Sequence, residues 1–262
     1  MAHLLLLDAM NLIRRLYAVQ ERQQADHQSR LLATAQTMER AVGSILAEVA
    51  PSHVLAVFDG QGDSWRKALY PDYKAGRNAM PEALAEGLEL LQARLWSLGV
   101  DALLSDTDEA DDLIATLMAG MASHGQPVTL ISTDKGFCQL LPQGLQIRDY
   151  FNKRWLDEAF VRQHFGVPST ALVDYWALCG LAGSNIKGVP GIGPKGAAEL
   201  LGQYGNLDTL LSVEAADKRL HKVQQAADEA RLAQTLVRLR QDIPLGFNLK
   251  DIRYTPHSAP ST

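Results

Sequence analysis

The chain has 262 residues, 47% of them hydrophobic, with a formal net charge of −5 and two cysteines, Cys138 and Cys179. That is enough apolar material for one large domain or two small ones, and the acidic balance excludes a surface that coats nucleic acid indiscriminately while leaving room for a local basic face. No apolar run approaches the ~18–20 residues that span a bilayer, so no membrane partner is expected, and two thiols are too few for a disulfide framework and suit a reducing cytoplasm.

In chain order, Leu4-Leu5-Leu6-Leu7-Asp8 comes first. It is too short for a signal-peptide core and has no basic segment ahead of it, so it reads as a buried strand. Residues 29–50 place Leu32, Ala35, Met38, Val42, Ile45 and Leu46 near helical spacing. A second buried run, Val54-Leu55-Ala56-Val57-Phe58-Asp59, again ends in aspartate. Residues 60–81 carry no sustained apolar period but interleave aromatic and basic side chains, in Trp65-Arg66-Lys67-Ala68-Leu69-Tyr70-Pro71-Asp72-Tyr73-Lys74-Ala75-Gly76-Arg77. A connection of about twenty residues without an apolar face is long for a compact domain and points to a functional loop. Aromatic faces stack on unpaired bases and cations neutralise phosphates, so Arg66, Tyr73, Lys74 and Arg77 are candidate contacts to a nucleic acid. A helix is expected over residues 81–98, opening with Pro81 at its first position and closing at Gly99.

The segment Asp106-Thr107-Asp108-Glu109-Ala110-Asp111-Asp112 follows, with five carboxylates in seven residues and no Lys or Arg between Arg94 and Lys135. The apolar residues after it predict a helix, with Thr107 or Asp108 as N-cap. Acidic residues are ordinary in a first helical turn. Their number is not, since two carboxylates about 4 Å apart repel by roughly 1 kcal/mol in water and about 4 kcal/mol at an effective dielectric of 20. Solvation or a cation relieves this, and hard oxygen-liganded ions such as Mg²⁺ or Mn²⁺ suit it.

A third apolar run, Val128-Thr129-Leu130-Ile131-Ser132-Thr133-Asp134, also ends in aspartate. Short buried runs alternating with helices predict an α/β domain with a mostly parallel, doubly wound sheet, whose sites lie at the carboxyl ends of strands. Asp8, Asp59 and Asp134 all fall there, as does the helix start carrying Glu109, Asp111 and Asp112. One strand-end aspartate is usually a cap or a turn; three of them beside an acidic helix start make a divalent-metal site the better reading.

Beyond residue 157 the pattern is helical, over 157–165, 168–178, 207–211 and 214–239, and the tail 256–262 is expected to be disordered. Within the helical part lies Gly188-Val189-Pro190-Gly191-Ile192-Gly193-Pro194-Lys195-Gly196. Glycines permit close backbone approach, and a proline-started helix presents its amide groups to an anion. Gly191, Ile192, Gly193, Pro194, Lys195 and Gly196 therefore read as a helix–hairpin–helix turn that meets a duplex phosphate.

Together, Asp8, Phe58-Asp59, Tyr73-Lys74 with Arg77, Glu109-Ala110-Asp111-Asp112, Ser132-Thr133-Asp134-Lys135 and Gly188-Val189-Pro190-Gly191-Ile192-Gly193 resemble the motifs of the 5′-nuclease (flap endonuclease) family. The resemblance runs from about residue 4 to residue 211. It implies a PIN-like core over residues 1–160 with a substrate loop at 60–81, then a helical DNA-binding part over 161–255 with its hairpin at 186–196. It implies Mg²⁺ at Asp8, Asp59, Glu109, Asp111, Asp112 and Asp134. It also implies a K⁺ held by the backbone carbonyls of Leu178, Cys179, Lys187, Val189 and Ile192. Where the family has Asp-Lys-Asp this chain has Asp134-Lys135-Gly136, and where it has Gly-Asp-Ser-Ser-Asp-Asn this chain has Gly180-Leu181-Ala182-Gly183-Ser184-Asn185. Three carboxylates of a second metal site are thereby replaced by Gly136, Leu181 and Ser184.

The expected protein is thus a cytoplasmic, monomeric nuclease acting on branched or 5′-flap DNA. Asp8, Asp59, Asp111 and Asp112 would hold the metal, Glu109 and Asp134 would support it, Lys74 and Arg77 would meet the scissile or flap phosphate, and Tyr73 would stack a base. Two alternatives stand beside it: a DNA-structure-binding protein with little or no catalysis, and an RNA-cleaving nuclease.

Overall fold

In the computed structural model, which describes residues 2–60, 62–215 and 217–255, the tail expected to be disordered lies outside the described residues. Six strands form one sheet: β1 (Leu4–Asp8), β2 (His53–Val57), β3 (Asp101–Leu103), β4 (Val128–Ile131), β5 (Leu145–Asp149) and β6 (Arg154–Trp155). Their spatial order is β3-β2-β1-β4-β5-β6, all parallel except the terminal β6. The mostly parallel α/β sheet expected from sequence is the observed one. Connections of parallel strands cross over through helices, here α1 (Ala9–Gln20) and α2 (His27–Val49) after β1. After β2 come α3 (Trp65–Leu69), α4 (Glu82–Glu86) and α5 (Leu88–Ser97), and after β3 comes α6 (Ala110–Ala122). A 3₁₀ turn, Lys135–Gln143, links β4 to β5.

The helical part holds α7 (Glu158–Phe165), α8 (Leu172–Cys179), α9 (Pro194–Tyr204), α10 (Leu207–Ser212), α11 (Lys218–Gln225) and α12 (Ala227–Val237). The sheet separates two apolar layers. On one face, Leu5 and Leu7 pack with α1 and α2 residues such as Ile13, Met38 and Ile45. On the other, Leu4 and Leu6 join α6 and continue without a break through Trp176 and Leu200 to Ile252. Alternate leucines of one strand therefore serve opposite layers, and the second layer welds the helical part onto the sheet.

Three local expectations are corrected. The helix over 81–98 is two helices that meet at Gly87, where a β-carbon would come within 2.3 Å of Leu31 Cδ1, and Pro81 is the N-cap rather than the first helical residue. The helix over 214–239 breaks at Ala226. The expected loop over 60–81 holds a short helix: α3 begins at Trp65, with Arg66 facing inward.

Candidate active site

The carboxyl end of β1 supplies Asp8, which is buried and accepts hydrogen bonds from Ser132 Oγ (2.7 Å) and Asn11 N (3.3 Å). Ser132 accepts in turn from the amide of Asp134 (3.0 Å), and Asn11 Oδ1 accepts from Thr133 N and Oγ1 (3.2 and 3.0 Å). The ends of β1 and β4 are thus stitched together by side chains, which sets Asp8 and Asp134 at one edge.

Asp59 follows β2 and is exposed; its Oδ1 accepts from Ala110 N (3.2 Å), the first residue of α6. That bond corrects the expected cap. Asp108 is turned toward Ser105 Oγ (2.8 Å), the N-cap position falls on Glu109, and a carboxylate from a neighbouring strand end reaches the helix instead. The two segments touch backbone to backbone: Gly60 N donates to Asp108 O (3.2 Å) and Gly62 N to Asp106 O (2.8 Å). A β-carbon on Gly60 would lie 2.7 Å from Ser105 O, so only glycine allows this approach.

The acidic run then divides. Asp111 is half-buried and faces Asp134, Asp8 and Asp59. Burial, then the charge of Asp134, with Asp8 and Asp59 adding to it, pushes its carboxyl well above the usual range, with Lys74 opposing. Asp8 is pushed up to about 7, by burial first and by Asp134 and Asp59 after it, against the Ser132 hydroxyl.

Asp112 lies on the other side of the helix, fully buried, and both its oxygens are taken. Arg66 donates to Asp112 Oδ2 and Oδ1 (2.7 Å each), Trp65 Nε1 donates to Oδ2 (2.9 Å) and Arg240 N to Oδ1 (2.9 Å). Arg66 also pairs with Glu109 and donates to the carbonyls of Leu236 (2.7 Å) and Arg238 (2.9 Å). Glu109 Oε1 accepts from Tyr73 Oη (3.0 Å) and Lys74 Nζ (2.5 Å). Burial alone would raise the Glu109 carboxyl, but Lys74 and Arg66 outweigh it and hold it below its ordinary value.

This arrangement places three expected site residues in protein contacts. The Asp112 oxygens both accept from protein donors. The Arg66 guanidinium is spent on two buried carboxylates and two carbonyls. Tyr73 is buried with its hydroxyl on Glu109. Lys74 stays half-buried beside the site and Arg77 is exposed. Sequence reasoning also missed Trp65, Ser132, Asn11 and Arg240. The only local signal for Ser132 and Asn11 is their position beside strand-end aspartates, and Arg240 carries none.

A hard divalent ion fits the donor chemistry of Asp8, Asp59, Asp111 and Asp134, which is all oxygen. Among the described residues no group of three or more His, Cys, Asp or Glu side chains stands close enough to hold an ion as placed. The repelling carboxylates have to draw together around one.

In the helical part, α8 and the turn after it pack backbone on backbone. Val189 N donates to Leu178 O (2.8 Å), and a β-carbon on Gly188 would lie 2.4 Å from that same oxygen. Leu178, Cys179, Lys187 and Val189 are thereby brought together, and Ile192 N closes back on Val189 O (3.0 Å). Pro194 is the first residue of α9 and Gly193 its N-cap. The first amides of such a helix have no acceptor within it. Lys195 is exposed at this end and Gly196 half-buried. Lys222 on α11, absent from the sequence reading, extends its ammonium to Gly191, where a β-carbon would sit 3.1 Å from Nζ.

Residues 3–166 match the 5′-3′ exonuclease N-terminal resolvase-like domain, and residues 167–260 match the 5′-3′ exonuclease C-terminal SAM fold. Among curated proteins, the chain is 61% identical over 258 residues to flap endonuclease Xni of Tolumonas auensis, covering 98% of this chain and 99% of that one. It is 60% identical over 257 residues to the protein of the same name from Aeromonas hydrophila, covering 97% and 96%. Among solved structures, T5 5′-exonuclease with divalent zinc bound superposes with a TM-score of 0.74 at 20% identity, covering 90% of this chain and 89% of that chain, a likeness of fold. Matched in both halves and at this identity to curated members, the chain belongs to the 5′-3′ exonuclease family.

Proposed function

We propose that the chain is a divalent-metal-dependent 5′ nuclease that binds branched DNA bearing a 5′ single strand and hydrolyses a phosphodiester at the flap. The observation that carries this reading is the edge where the charges of Asp59 and Asp134, together with burial, raise the proton affinity of Asp8 and Asp111, with Lys74 opposing at Asp111. Such a cluster is stabilised by a cation and is otherwise a cost to the fold. Family membership and the curated relatives' printed name, flap endonuclease, support the same reading.

Asp8, Asp59, Asp111 and Asp134 would hold Mg²⁺ or Mn²⁺. Bound there, the ion would polarise a phosphoryl oxygen and lower the pKa of a water at the scissile bond. Lys74, now on Glu109, lies beside Asp111 and would meet the phosphate; Arg77, exposed on the same loop, would engage the single strand. Asp112 and Glu109 would act through Arg66 and Lys74, fixing the start of α6. The hairpin from Gly191 to Gly196, with Lys195 and Lys222 beside it, would track a duplex phosphate through the free amides of α9. The clustered carbonyls of Leu178, Cys179, Lys187, Val189 and Ile192 would hold K⁺ under that phosphate. A catalytic part over residues 1–160, a DNA-binding part over 161–255, a monomeric state and a cytoplasmic location complete the proposal. Among the described residues no helix is long and apolar enough to cross a membrane.

Gly136, Leu181 and Ser184 favour a second reading, a DNA-structure-binding protein of little catalysis, because they bring no carboxylate for a second ion. Incubation with matched DNA and RNA 5′ flaps in Mg²⁺, Mn²⁺ and EDTA separates the two. Metal-dependent cleavage of the DNA flap is expected. Tight flap binding without cleavage in either metal would establish the second reading, and preferential cutting of RNA would overturn both.

A further inference from the structure

Leu181, Ser184 and their neighbours bring no acidic ligands, yet this turn is neither loose nor idle. Leu181 and Ile186 close it by exchanging backbone hydrogen bonds (2.8 and 3.2 Å), and Ile186 is buried beneath. Its outer end reaches across to the loop after α3. Ser184 O accepts from the amide of Lys74 (2.8 Å), and Asn185 Nδ2 donates to Asp72 O (2.8 Å). These two bonds join segments more than a hundred residues apart, one in the sheet domain and one in the helical part.

Backbone conformation marks the same place. Among the described residues only four that are not glycine have positive φ: Ala50, Lys74, Lys153 and Asn185. Two of the four, Lys74 at 55° and Asn185 at 54°, face each other here. Left-handed backbone is disfavoured for lysine and persists where surroundings hold it, commonly at functional sites. Asparagine is among the side chains that tolerate it best, and its amide supplies the donor that Asp72 O receives. Lys74 is then held three ways: its amide by Ser184, its carbonyl by Arg77 N (3.2 Å), its ammonium by Glu109.

We propose that the 181–186 turn is a clasp that sets the backbone of Lys74, and that Asn185 is a positioning residue acting on the scissile phosphate through Lys74. The proposal rests on the nuclease reading above. In place of acidic ligands, the turn contributes rigidity: it keeps the lysine beside Asp111 before substrate arrives, so that little order has to be gained on binding. The helical part thereby contacts the catalytic edge directly as well as through the apolar core.

Asn185→Gly keeps the left-handed backbone and removes only the amide donor. Loss of one such bond should lower kcat on a 5′ flap about tenfold while KM stays within about twofold. In a Lys74→Ala background the same change should add nothing, because the residue it positions is gone. A readout independent of cleavage is limited trypsin digestion, with the fragments identified by mass. Cuts after Lys74 and Arg77 should quicken several-fold in Asn185→Gly, with the melting temperature within about 2 °C of wild type. Unchanged digestion of the loop, or a kcat loss fully additive with Lys74→Ala, would overturn the clasp. If the wild type cleaves no flap in any metal, the nuclease reading falls, and the digestion still decides whether the clasp exists.

Discussion

Asp111 and Asp112 are adjacent in sequence and opposite in circumstance. One helical step of about 100° separates their directions. On the Asp112 side every carboxylate oxygen meets a donor: Arg66, Trp65, Arg240 N, and for Glu109 also Tyr73 and Lys74. On the Asp111 side, Asp8, Asp59 and Asp134 add like charge. The first arrangement holds the protein together and the second stores repulsion that a divalent ion would relieve. An acidic cluster can thus be half structure and half site, and which half a residue joins depends on what faces it.

The largest effect should follow from breaking the neutralised side. Arg66→Met leaves Asp112 buried without its guanidinium, and loss of one partner of a buried pair costs about 3–5 kcal/mol. Urea denaturation should show that loss, and a variant within about 1 kcal/mol of wild type would mean that Asp112 finds other donors.

Protonation sharpens the contrast on the open side. The Asp8 carboxyl lies at about 7 against an ordinary 3.8. A folded value above the unfolded one means that the native state binds the proton more tightly, so stability without metal falls as pH rises from about 4 to 7. A divalent ion competes with that proton. The rise in melting temperature on adding Mg²⁺ or Mn²⁺ should therefore be larger at pH 8 than at pH 6, by on the order of 5 °C. Equal shifts at the two values would remove Asp8 from the ion's surroundings.

Smaller effects belong to the surfaces that would receive DNA. Arg77→Ala combined with Lys74→Ala should weaken 5′-flap binding several-fold more than blunt-duplex binding, read by fluorescence anisotropy at fixed salt. Equal losses would make both residues general phosphate contacts. Gly193 has an extended backbone and open space where a β-carbon would go, so Gly193→Val should fold normally. It should weaken duplex binding by blocking backbone approach and leave the divalent-induced melting shift unchanged. Wild-type affinity should also be about twofold higher in KCl than in NaCl at equal ionic strength, and the variant should lose that preference. Undiminished duplex binding by the variant would detach the hairpin from DNA.

Much of the fold was legible because its signals are local. Apolar runs ending in Asp8, Asp59 and Asp134 mark β1, β2 and β4, and apolar periodicity marks α2, which begins at His27, two residues before the expected start. The remaining strands were not. β3 is three residues at the sheet edge, none of them buried, and β6 is two exposed residues. β5 alternates, with Leu145 and Ile147 inward and Gln146 outward, so behind Pro142 and Gly144 it carries no continuous apolar run of the kind that marks the central strands.

The site was legible as a set of carboxylates and illegible as a division of labour. Arg66 looks like any loop cation until the fold brings it Asp112 from 46 residues away and a carbonyl from 170. Tyr73 likewise looks like a base-stacking ring until Glu109 receives its hydroxyl. Neither partner lies within the range of a local pattern, and no spacing rule says which of two adjacent aspartates a helix will turn outward.

Asp111 separates the metal-facing carboxylates from the structural ones most directly. Isothermal titration of Mn²⁺ into metal-free wild type and Asp111→Asn at pH 8, with the melting temperature of each metal-free protein recorded, puts both sides of that separation to the test. Removing one of four repelling charges should leave the metal-free melting temperature equal or higher while weakening Mn²⁺ at least about tenfold. Unchanged Mn²⁺ affinity, or a marked drop in the metal-free melting temperature, would place Asp111 among the structural carboxylates and contradict the division drawn here.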